Sequence, residues 1–157
     1  MTPALTLLER HGVAHRVVGY DHDPAADSYG AEAAEALGLD PAVVFKTLLA
    51  TVDGSATVVA VVPVERRLDL KGLARAAGGK RAAMTEPAVA ERLTGYVVGG
   101  ISPLGQRKRL RTFIDVSAEA RDEIHVSAGR RGLEVAIAPT ALAHLLDADF
   151  HPLAVAS

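Results

Sequence analysis

The sequence predicts an α+β fold, arranged as a single domain with a mixed, largely antiparallel β-sheet flanked by helices. The chain has 157 residues, which suits one domain with its own hydrophobic core. Helix and strand patterns alternate along it, and several neighbouring strands are joined by hairpin-like turns rather than by long crossovers. Neither a repeat nor a linker-like stretch divides the chain. We therefore treat residues 1–157 as one domain.

Capping and turn residues delimit the elements predicted in the first half. Thr2 and Pro3 are typical of a helix start, and Asp53-Gly54 is a hairpin signal. The predicted elements are a helix over 2–10 with Leu5, Leu8 and His11 on one face, a strand over 15–20, a turn over 21–24, a helix over 28–37 capped by Ser28 and ended by Gly38, and paired strands over 43–52 and 57–62.

The second half continues the alternation and contains the most glycine-rich loop. The predicted elements are a helix over 69–77 capped by Asp69, a short helix over 86–93, a loop over 99–105, strands over 112–115, 124–127 and 133–138, a helix over 139–146, and a final edge strand over 151–155.

Composition and charge narrow the classes of function. The chain has no cysteine, which excludes disulfides, thiolate metal sites and a protein thiol nucleophile. The net charge is −2, but residues 61–115 are basic and both flanking parts are acidic. A basic middle can meet phosphate on one face, although charge alone would not hold a long nucleic acid. No signal peptide or membrane span is indicated, so we expect a cytoplasmic protein.

Lys46 is the most unusual single residue. It interrupts an apolar stretch over 43–50, in a chain with thirteen Arg and only four Lys. One interpretation puts it on the solvent face of a strand, with its stem covering apolar surface. The other makes it a partly desolvated ammonium in a pocket, able to neutralise phosphate or polarise an ester carbonyl. The residues alone leave both open.

Two glycine-containing segments are further candidates. The loop over 99–105 could let its backbone approach an anion or an oxyanion, or it could simply be a tight connection. Four cations follow at Arg107, Lys108, Arg109 and Arg111, and a second glycine-basic segment spans 127–134. Each is either a solvated surface or a phosphate-contacting rim. Neither a P-loop nor a dinucleotide fingerprint is present, and no serine triad or metal-binding histidine spacing is indicated.

Taken together, six segments resemble the YbaK/EbsC family. They span 1–4, 20–24, 44–48, 68–71, 94–105 and 130–133, and include Gly-Gly-Ile-Ser-Pro-Leu-Gly at 99–105 downstream of Lys-Thr-Leu at 46–48. The resemblance covers nearly the whole chain. It is strongest to the YbaK-type Cys-tRNA(Pro) deacylases, whose relatives include ProX proteins and the editing domain of bacterial prolyl-tRNA synthetases. It implies the YbaK/ProRS-associated editing-domain fold.

The resemblance also implies a set of site residues. Lys46 would be the central cation, and Gly99, Gly100 and Ile101 would supply backbone donors. The residues that would contact the substrate are Tyr20, Tyr29, Ser102, Pro103, Ser127 and Glu134. Glu134 stands where YbaK proteins usually have Asp, and Tyr29 stands where many members have Phe.

The activity implied by the resemblance is trans-editing: hydrolysis of the ester in mischarged Cys-tRNA(Pro), without metal or other cofactor. In the YbaK-type branch the substrate's cysteine thiol attacks the ester, which suits a chain that offers no obvious nucleophile. The implied partners are the acceptor end of tRNA(Pro) and prolyl-tRNA synthetase, with no membrane. Two alternatives stay open: deacylation of other mischarged tRNAs such as Ala-tRNA(Pro), and a non-catalytic module that binds the acceptor end.

Overall fold

The computed structural model describes residues 1–26 and 28–157. Its helices are α1 (Pro3–Arg10), α2 (Tyr29–Leu37), α3 (Leu70–Ala76), α4 (Pro87–Thr94) and α5 (Pro139–Leu146), with 3₁₀ turns at Pro41–Val43 and Val116–Ala120. Its strands are β1 (Arg16–Gly19), β2 (Phe45–Val52), β3 (Ala56–Pro63), β4 (Arg66–Leu68), β5 (Ala82–Met84), β6 (Thr112–Asp115), β7 (Ile124–Arg130), β8 (Leu133–Ile137), β9 (Asp149–His151) and β10 (Ala154–Ala156).

The strands form three hydrogen-bonded sheets. The largest has the order β5-β2-β3-β6-β9, the second β1-β8-β7, and the third pairs β10 with β4. Only the β3–β6 and β6–β9 pairings are parallel among the strand pairs described. The α+β class and the largely antiparallel pairing are confirmed, although the strands divide among three sheets instead of one.

The β2–β3 hairpin lies at the centre because both of its faces are buried. On one face Phe45 and Leu49 pack in a cluster with residues of α1, α5, β7 and β8. On the other, Ala50 and Val62 pack with Leu73 of α3 and with residues near the C-terminus. Burying a large aliphatic or aromatic side chain contributes about 1.5–3 kcal/mol, so these two clusters account for much of the driving force for folding.

The predicted helix boundaries are confirmed by cap geometry at two places. Thr2 caps α1 by accepting a hydrogen bond from the backbone N–H of Leu5, and its hydroxyl also donates to the carbonyl of Ala128 in β7. Ser28 caps α2 in the same manner, and Gly38 ends that helix with φ of 66°. The start of α2 is thereby fixed, which places Tyr29 at the functional site described below.

Other expectations need correction. His11 is the exposed C-cap of α1 and not part of its buried face. Asp69 is the N-cap of α3 but its side chain makes no capping hydrogen bond. The single edge strand expected over 151–155 is two strands in different sheets, β9 and β10, because Asp115 accepts hydrogen bonds from the backbone of Leu153 and Ala154 and separates them. Strands β4 and β5 were not predicted. None of the helices described is both long and apolar enough to cross a bilayer.

Candidate active site

A cavity of about 380 Å³ lies between the first half of β2, the outer end of the β7–β8 hairpin, the start of α2 and the glycine loop. Its volume is in the range of small-molecule sites. Seven of the ten site residues expected from the sequence line it: Tyr20, Tyr29, Lys46, Gly99, Ile101, Ser127 and Glu134. Residues from six separate parts of the chain therefore line one cavity.

The cavity exists because β2 has an open edge. Strand β5 pairs only with Ala50, Thr51 and Val52, so the preceding part of β2 is uncovered on that side. The carbonyl of Val44 accepts from Val64 beside β3, whereas the carbonyl of Leu49 accepts from the N–H following β5. Backbone groups alternate in direction along an antiparallel pair. The N–H and C=O of Thr47 accordingly point away from β3, toward the cavity.

Lys46 lies at one boundary of the cavity. It is half-buried, and burial lowers the pKa of its ammonium. The Nζ atom donates to the backbone carbonyl of Arg66 at 2.6 Å. This contact directs the ammonium toward the chain segment that begins β4, and not toward the glycine loop. The ammonium is therefore partly desolvated at a cavity, as the second sequence-based interpretation expects.

Glu134, on β8, contributes a carboxyl group to the cavity. It is only 6% exposed, and burial raises its pKa to about 8, so the carboxyl is mostly protonated at neutral pH. It pairs in register with Ser127, whose hydroxyl accepts from the N–H of Gly129 at 3.2 Å. The pKa of Tyr20 is also raised, first by burial and then by the nearby Glu134. This part of the cavity therefore presents a neutral acid and hydroxyl groups.

The glycine loop is held by hydrogen bonds within and around it. The hydroxyl of Tyr96 donates to the carbonyl of Leu104 at 2.7 Å. The Ser102 hydroxyl accepts from the N–H of Leu104, and the Ser102 carbonyl accepts from the Gln106 amide. Ser102 is fully buried, Pro103 is buried, and neither lines the cavity. Ser102 therefore helps to hold the loop through both its hydroxyl and its carbonyl.

Gly99 and Gly100 permit close approaches that no other residue would allow. Gly99 has φ of +90°, and a Cβ there would lie 2.6 Å from the Tyr29 ring. A Cβ on Gly100 would lie 2.7 Å from the Cα of Arg130. The N–H of Gly100 donates to the carbonyl of Val97 at 2.8 Å, so this amide is engaged in a turn and is not free to act as one of the three expected backbone donors.

Arg131 and Glu91 are site-supporting residues whose roles the sequence did not reveal. The Arg131 guanidinium stacks 4.6 Å from the centroid of the Tyr29 ring and donates twice to the carbonyl of Val98, at 2.9 and 2.6 Å. The Glu91 carboxylate accepts from the N–H of Val98 at 2.8 Å. Together they fix the residue before Gly99 from both sides. The only signal in the sequence was the basic character of Arg130-Arg131.

The basic run after the glycine loop does not border the cavity. Arg107, Lys108 and Arg109 are exposed, and none of them lines it. Arg111 lies 4.7 Å over the ring of Phe113 and donates to the carbonyl of Ala77. Of the two earlier interpretations, the solvated surface fits this run.

The lining suggests what the cavity can do chemically. Among the lining residues of the described chain, none is a histidine, and the chain has no cysteine. Hydroxyl groups do line the cavity, but none of those described is hydrogen-bonded to Lys46 or to Glu134, so no hydroxyl is paired with a base that would activate it. In the same described part, no three His, Asp or Glu side chains are grouped as a metal site requires. What remains is a cation, a neutral acid, backbone edges and apolar walls. Such a site orients and polarises a carbonyl-containing ligand.

Fold and site thus define a small-molecule or ester-binding α+β protein, and comparison with known proteins identifies its family. A family described as "Aminoacyl-tRNA editing domain" matches residues 22–145. The chain belongs to this aminoacyl-tRNA editing family, which confirms the resemblance noted from the sequence.

Two curated relatives and one solved structure agree with this assignment, and a second solved structure shares the fold. EbsC of Enterococcus faecalis, named as a candidate Cys-tRNA(Pro)/Cys-tRNA(Cys) deacylase, is 37% identical over 95% of this chain and 90% of its own. ProXp-y of Escherichia coli K12, a multifunctional Ser/Thr-tRNA deacylase, is 31% identical over 80% and 75%. A candidate trans-editing enzyme for prolyl-tRNA synthetase superposes with a TM-score of 0.84 at 25% identity, covering 98% of this chain and 95% of its own. The hypothetical protein APE2540 has a TM-score of 0.87 at 22% identity, covering 98% and 99%, and shows the fold alone.

Proposed function

We propose that this protein is a trans-editing deacylase that removes cysteine from mischarged Cys-tRNA(Pro). The observation that carries the proposal is a cavity with a cation, a neutral acid and backbone edges but no nucleophile–base pair among its described lining residues. The family assignment and the similarity to EbsC point to the same reaction class. The proposal treats residues 1–157 as one catalytic domain, without metal or other cofactor.

In this proposal the substrate supplies the attacking atom. The sulfur of the cysteinyl group forms a bond to its own ester carbonyl carbon, and the bond from that carbon to the ribose oxygen breaks. The thiol proton passes to the ribose oxygen, which leaves as the free hydroxyl of the tRNA. Water then opens the cyclic thioester and releases cysteine. The protein need only hold the reactive conformer and stabilise the developing negative charge.

Each wall has a role in this reaction. The ammonium of Lys46 and the backbone N–H groups of Gly99 and Ile101 stabilise charge near the ester, while the amide of Gly100 holds the turn. Tyr20 and Tyr29 flank the amino-acid part of the substrate.

The remaining expected site residues divide into two groups. Ser127 and the protonated carboxyl of Glu134 offer hydrogen bonds to the substrate's polar groups. Ser102 and Pro103 keep the loop in place from beneath, where both are buried.

The partners follow from the substrate. We propose that the acceptor end of tRNA(Pro) enters the cavity, and that prolyl-tRNA synthetase helps to select the tRNA because the chain carries a net charge of only −2. A substrate made and used during translation also suggests a cytoplasmic location.

The direct test is deacylation of purified Cys-tRNA(Pro), with and without prolyl-tRNA synthetase. We expect hydrolysis of the cysteinyl ester, and a strong loss when the cysteine is replaced by alanine, because alanine lacks the thiol. Faster release of alanine than of cysteine would overturn the proposed substrate and the thiol mechanism together. Binding without any hydrolysis would instead indicate a non-catalytic acceptor-end module.

A second candidate is the deacylation of Ser-tRNA or Thr-tRNA. The similarity to ProXp-y favours it, and the lining includes Ser127 and the carboxyl of Glu134, which can hydrogen-bond a hydroxyl-bearing amino acid. Seryl and threonyl esters of the same tRNA therefore belong in the panel, and their preference over cysteine would select this candidate.

A further inference from the structure

A second concavity adjoins the candidate active site on the other side of the β2 edge. It has a volume of about 730 Å³ and lies between β2, β4, the start of α3 and the C-terminal strand. We call it the basic groove and define it by Lys46, Arg66, Arg67 and Lys71, together with its apolar floor of Leu48, Leu68, Leu70 and Val155. We propose that the basic groove binds the phosphodiester backbone of the single-stranded 3′ end of the RNA substrate. This inference rests on the proposed function.

The groove and the cavity are adjacent. Lys46, Leu48 and Met84 line both. The Lys46 ammonium donates to the carbonyl of Arg66, which belongs to the groove wall. A nucleic acid whose terminal nucleoside sits in the cavity extends beyond it, and the groove is the neighbouring concavity with basic residues in its lining.

The groove carries an excess of positive charge. Four cations face one carboxylate, Asp69, which lies 4.0 Å from Arg75. Arg66, Arg67 and Lys71 are exposed, and no carboxylate of the described residues lies within ion-pair distance of them. Exposed cations without carboxylate partners are available to phosphate groups at little desolvation cost.

The floor of the groove suits a single strand better than a duplex. Leu48 and Leu70 are partly buried against the second core cluster, and Met84, at the boundary with the cavity, is 49% exposed. Sites for single-stranded nucleic acid combine a positively charged groove with side chains on which bases stack, usually aromatic ones, and in this groove the packing surface is aliphatic. A fully polar groove would lack the second property.

Other basic surfaces are less suitable. Arg107 and Arg109 border neither the cavity nor the groove, and Arg131 uses its guanidinium on Val98 and Tyr29. The sequence shows that residues 61–115 are basic, but not where their charges lie on the surface of the protein. The structure assigns the relevant part of that charge to β4 and α3 rather than to the run after the glycine loop.

The test measures binding of a single-stranded RNA dodecamer ending in CCA by fluorescence anisotropy over a range of salt concentrations. The test variant is Arg67→Gln with Lys71→Gln, which leaves the Arg66 carbonyl and its bond to Lys46 in place. The matched control is Arg107→Gln with Arg109→Gln, which removes the same number of charges outside both concavities. Thermal melting establishes that each variant is folded.

Log affinity falls with log salt, and each phosphate contact to a single strand contributes about −0.7 to that slope. We expect the groove variant to lose two contacts, which makes the slope less negative by about 1.4. The control keeps the wild-type slope. With Cys-tRNA(Pro), the groove variant raises KM, whereas with 3′-cysteinyl-adenosine, which has no upstream phosphates, KM stays at the wild-type value.

Three outcomes would overturn the proposal. The first is an equal salt dependence of RNA binding for the groove and control variants. The second is an increase in KM for cysteinyl-adenosine as large as that for Cys-tRNA(Pro). The third is a groove variant that binds RNA normally but is no longer stimulated by the synthetase, which would make the groove a protein-binding surface. Because the anisotropy measurement needs no turnover, the groove can be assessed separately from hydrolysis. A wild-type protein that binds the RNA in the groove but hydrolyses no aminoacyl ester would refute the proposed function alone.

Discussion

The two walls of the cavity acquire their properties in different ways. The loop wall, residues 96–106, is specified by backbone geometry. Gly99 and Gly100 leave no room for a side chain, Arg131 donates hydrogen bonds to the carbonyl of Val98, and Glu91 accepts one from the Val98 N–H. The strand wall carries Lys46 on β2 and Glu134 on β8, and burial sets the charge of each. The conformation of the loop wall depends on positions that leave no room for a side chain, whereas the ionisation of the strand wall depends on burial.

The difference shows how a small protein can hold two ionisable groups in one cavity without pairing them. No ion pair joins Lys46 to Glu134 among the described residues. Burial lowers the pKa of the ammonium and raises that of the carboxyl, so each moves toward its neutral form. The protonated carboxyl then acts as a hydrogen-bonding group. It does not neutralise the Lys46 ammonium, whose positive charge can act on the substrate.

The largest effect is expected at the strand wall, from Lys46→Ala. If Lys46 stabilises charge at the ester, its loss should reduce kcat by about 10²–10³, the usual effect of removing one such group. Steady-state deacylation of Cys-tRNA(Pro) measures the change. Lys108→Ala is the control, because Lys108 is exposed and lies outside both concavities. Hydrolysis retained by a folded Lys46→Ala protein would remove the strand wall's cation from any essential role.

A smaller effect, on stability as well as activity, is expected at the loop wall from Gly100→Ala. The added Cβ would lie 2.7 Å from the Cα of Arg130 and 2.9 Å from the N of Arg131, and backbone atoms cannot rotate away. We expect a loss of about 1–3 kcal/mol in the free energy of unfolding, together with slower deacylation from a displaced loop.

Urea denaturation of Gly100→Ala beside Gly19→Ala measures this difference. Gly19 is the matched control, since a Cβ there would find its nearest neighbour at an ordinary 3.6 Å. Equal stabilities for the two variants would show that the loop wall is not sterically specified.

Local signals explain how much of the fold was predictable. Ser28 and Gly38 bracket α2 because a cap and a left-handed glycine act within a few residues of themselves. Strands β4 and β5 were missed because each has three residues and neither has the β-branched pattern of a strand, so only their partners β10 and β2 make them strands. The division of the C-terminal segment depends on Asp115, which is distant in sequence.

Contacts between residues distant in sequence also limited what could be predicted about the site. The sequence marked Lys46 as unusual, and the family resemblance placed it at a site, but the direction of its ammonium depends on the carbonyl of Arg66, twenty residues away. The sequence left Arg131 open as part of a solvated surface or of a phosphate-contacting rim, because its contacts with Tyr29 and Val98 exist only after folding. The identities of site residues were therefore partly predictable, whereas their partners were not.

The smallest effect on activity, and the one most specific to the strand wall, is expected from Glu134→Gln. The pKa of Glu134 is about 8 in the folded protein against an ordinary value of 4.5, so the folded state holds the proton more tightly than the unfolded state. The stability that this group contributes is full below pH 4.5 and is lost as the pH rises toward 8, with a slope of at most about 1.4 kcal/mol per pH unit.

Glutamine mimics the protonated carboxyl but cannot ionise, so Glu134→Gln should remove this part of the pH dependence and leave deacylation near pH 6 close to wild type. Unfolding free energies from pH 5 to 8.5 measure the difference, with Glu119→Gln, an exposed carboxylate, as the control. Parallel stability curves for wild type and Glu134→Gln would mean that the carboxyl is ionised in the folded protein at neutral pH. Burial would then not determine the protonation state of Glu134, and the contrast between the two walls would be lost.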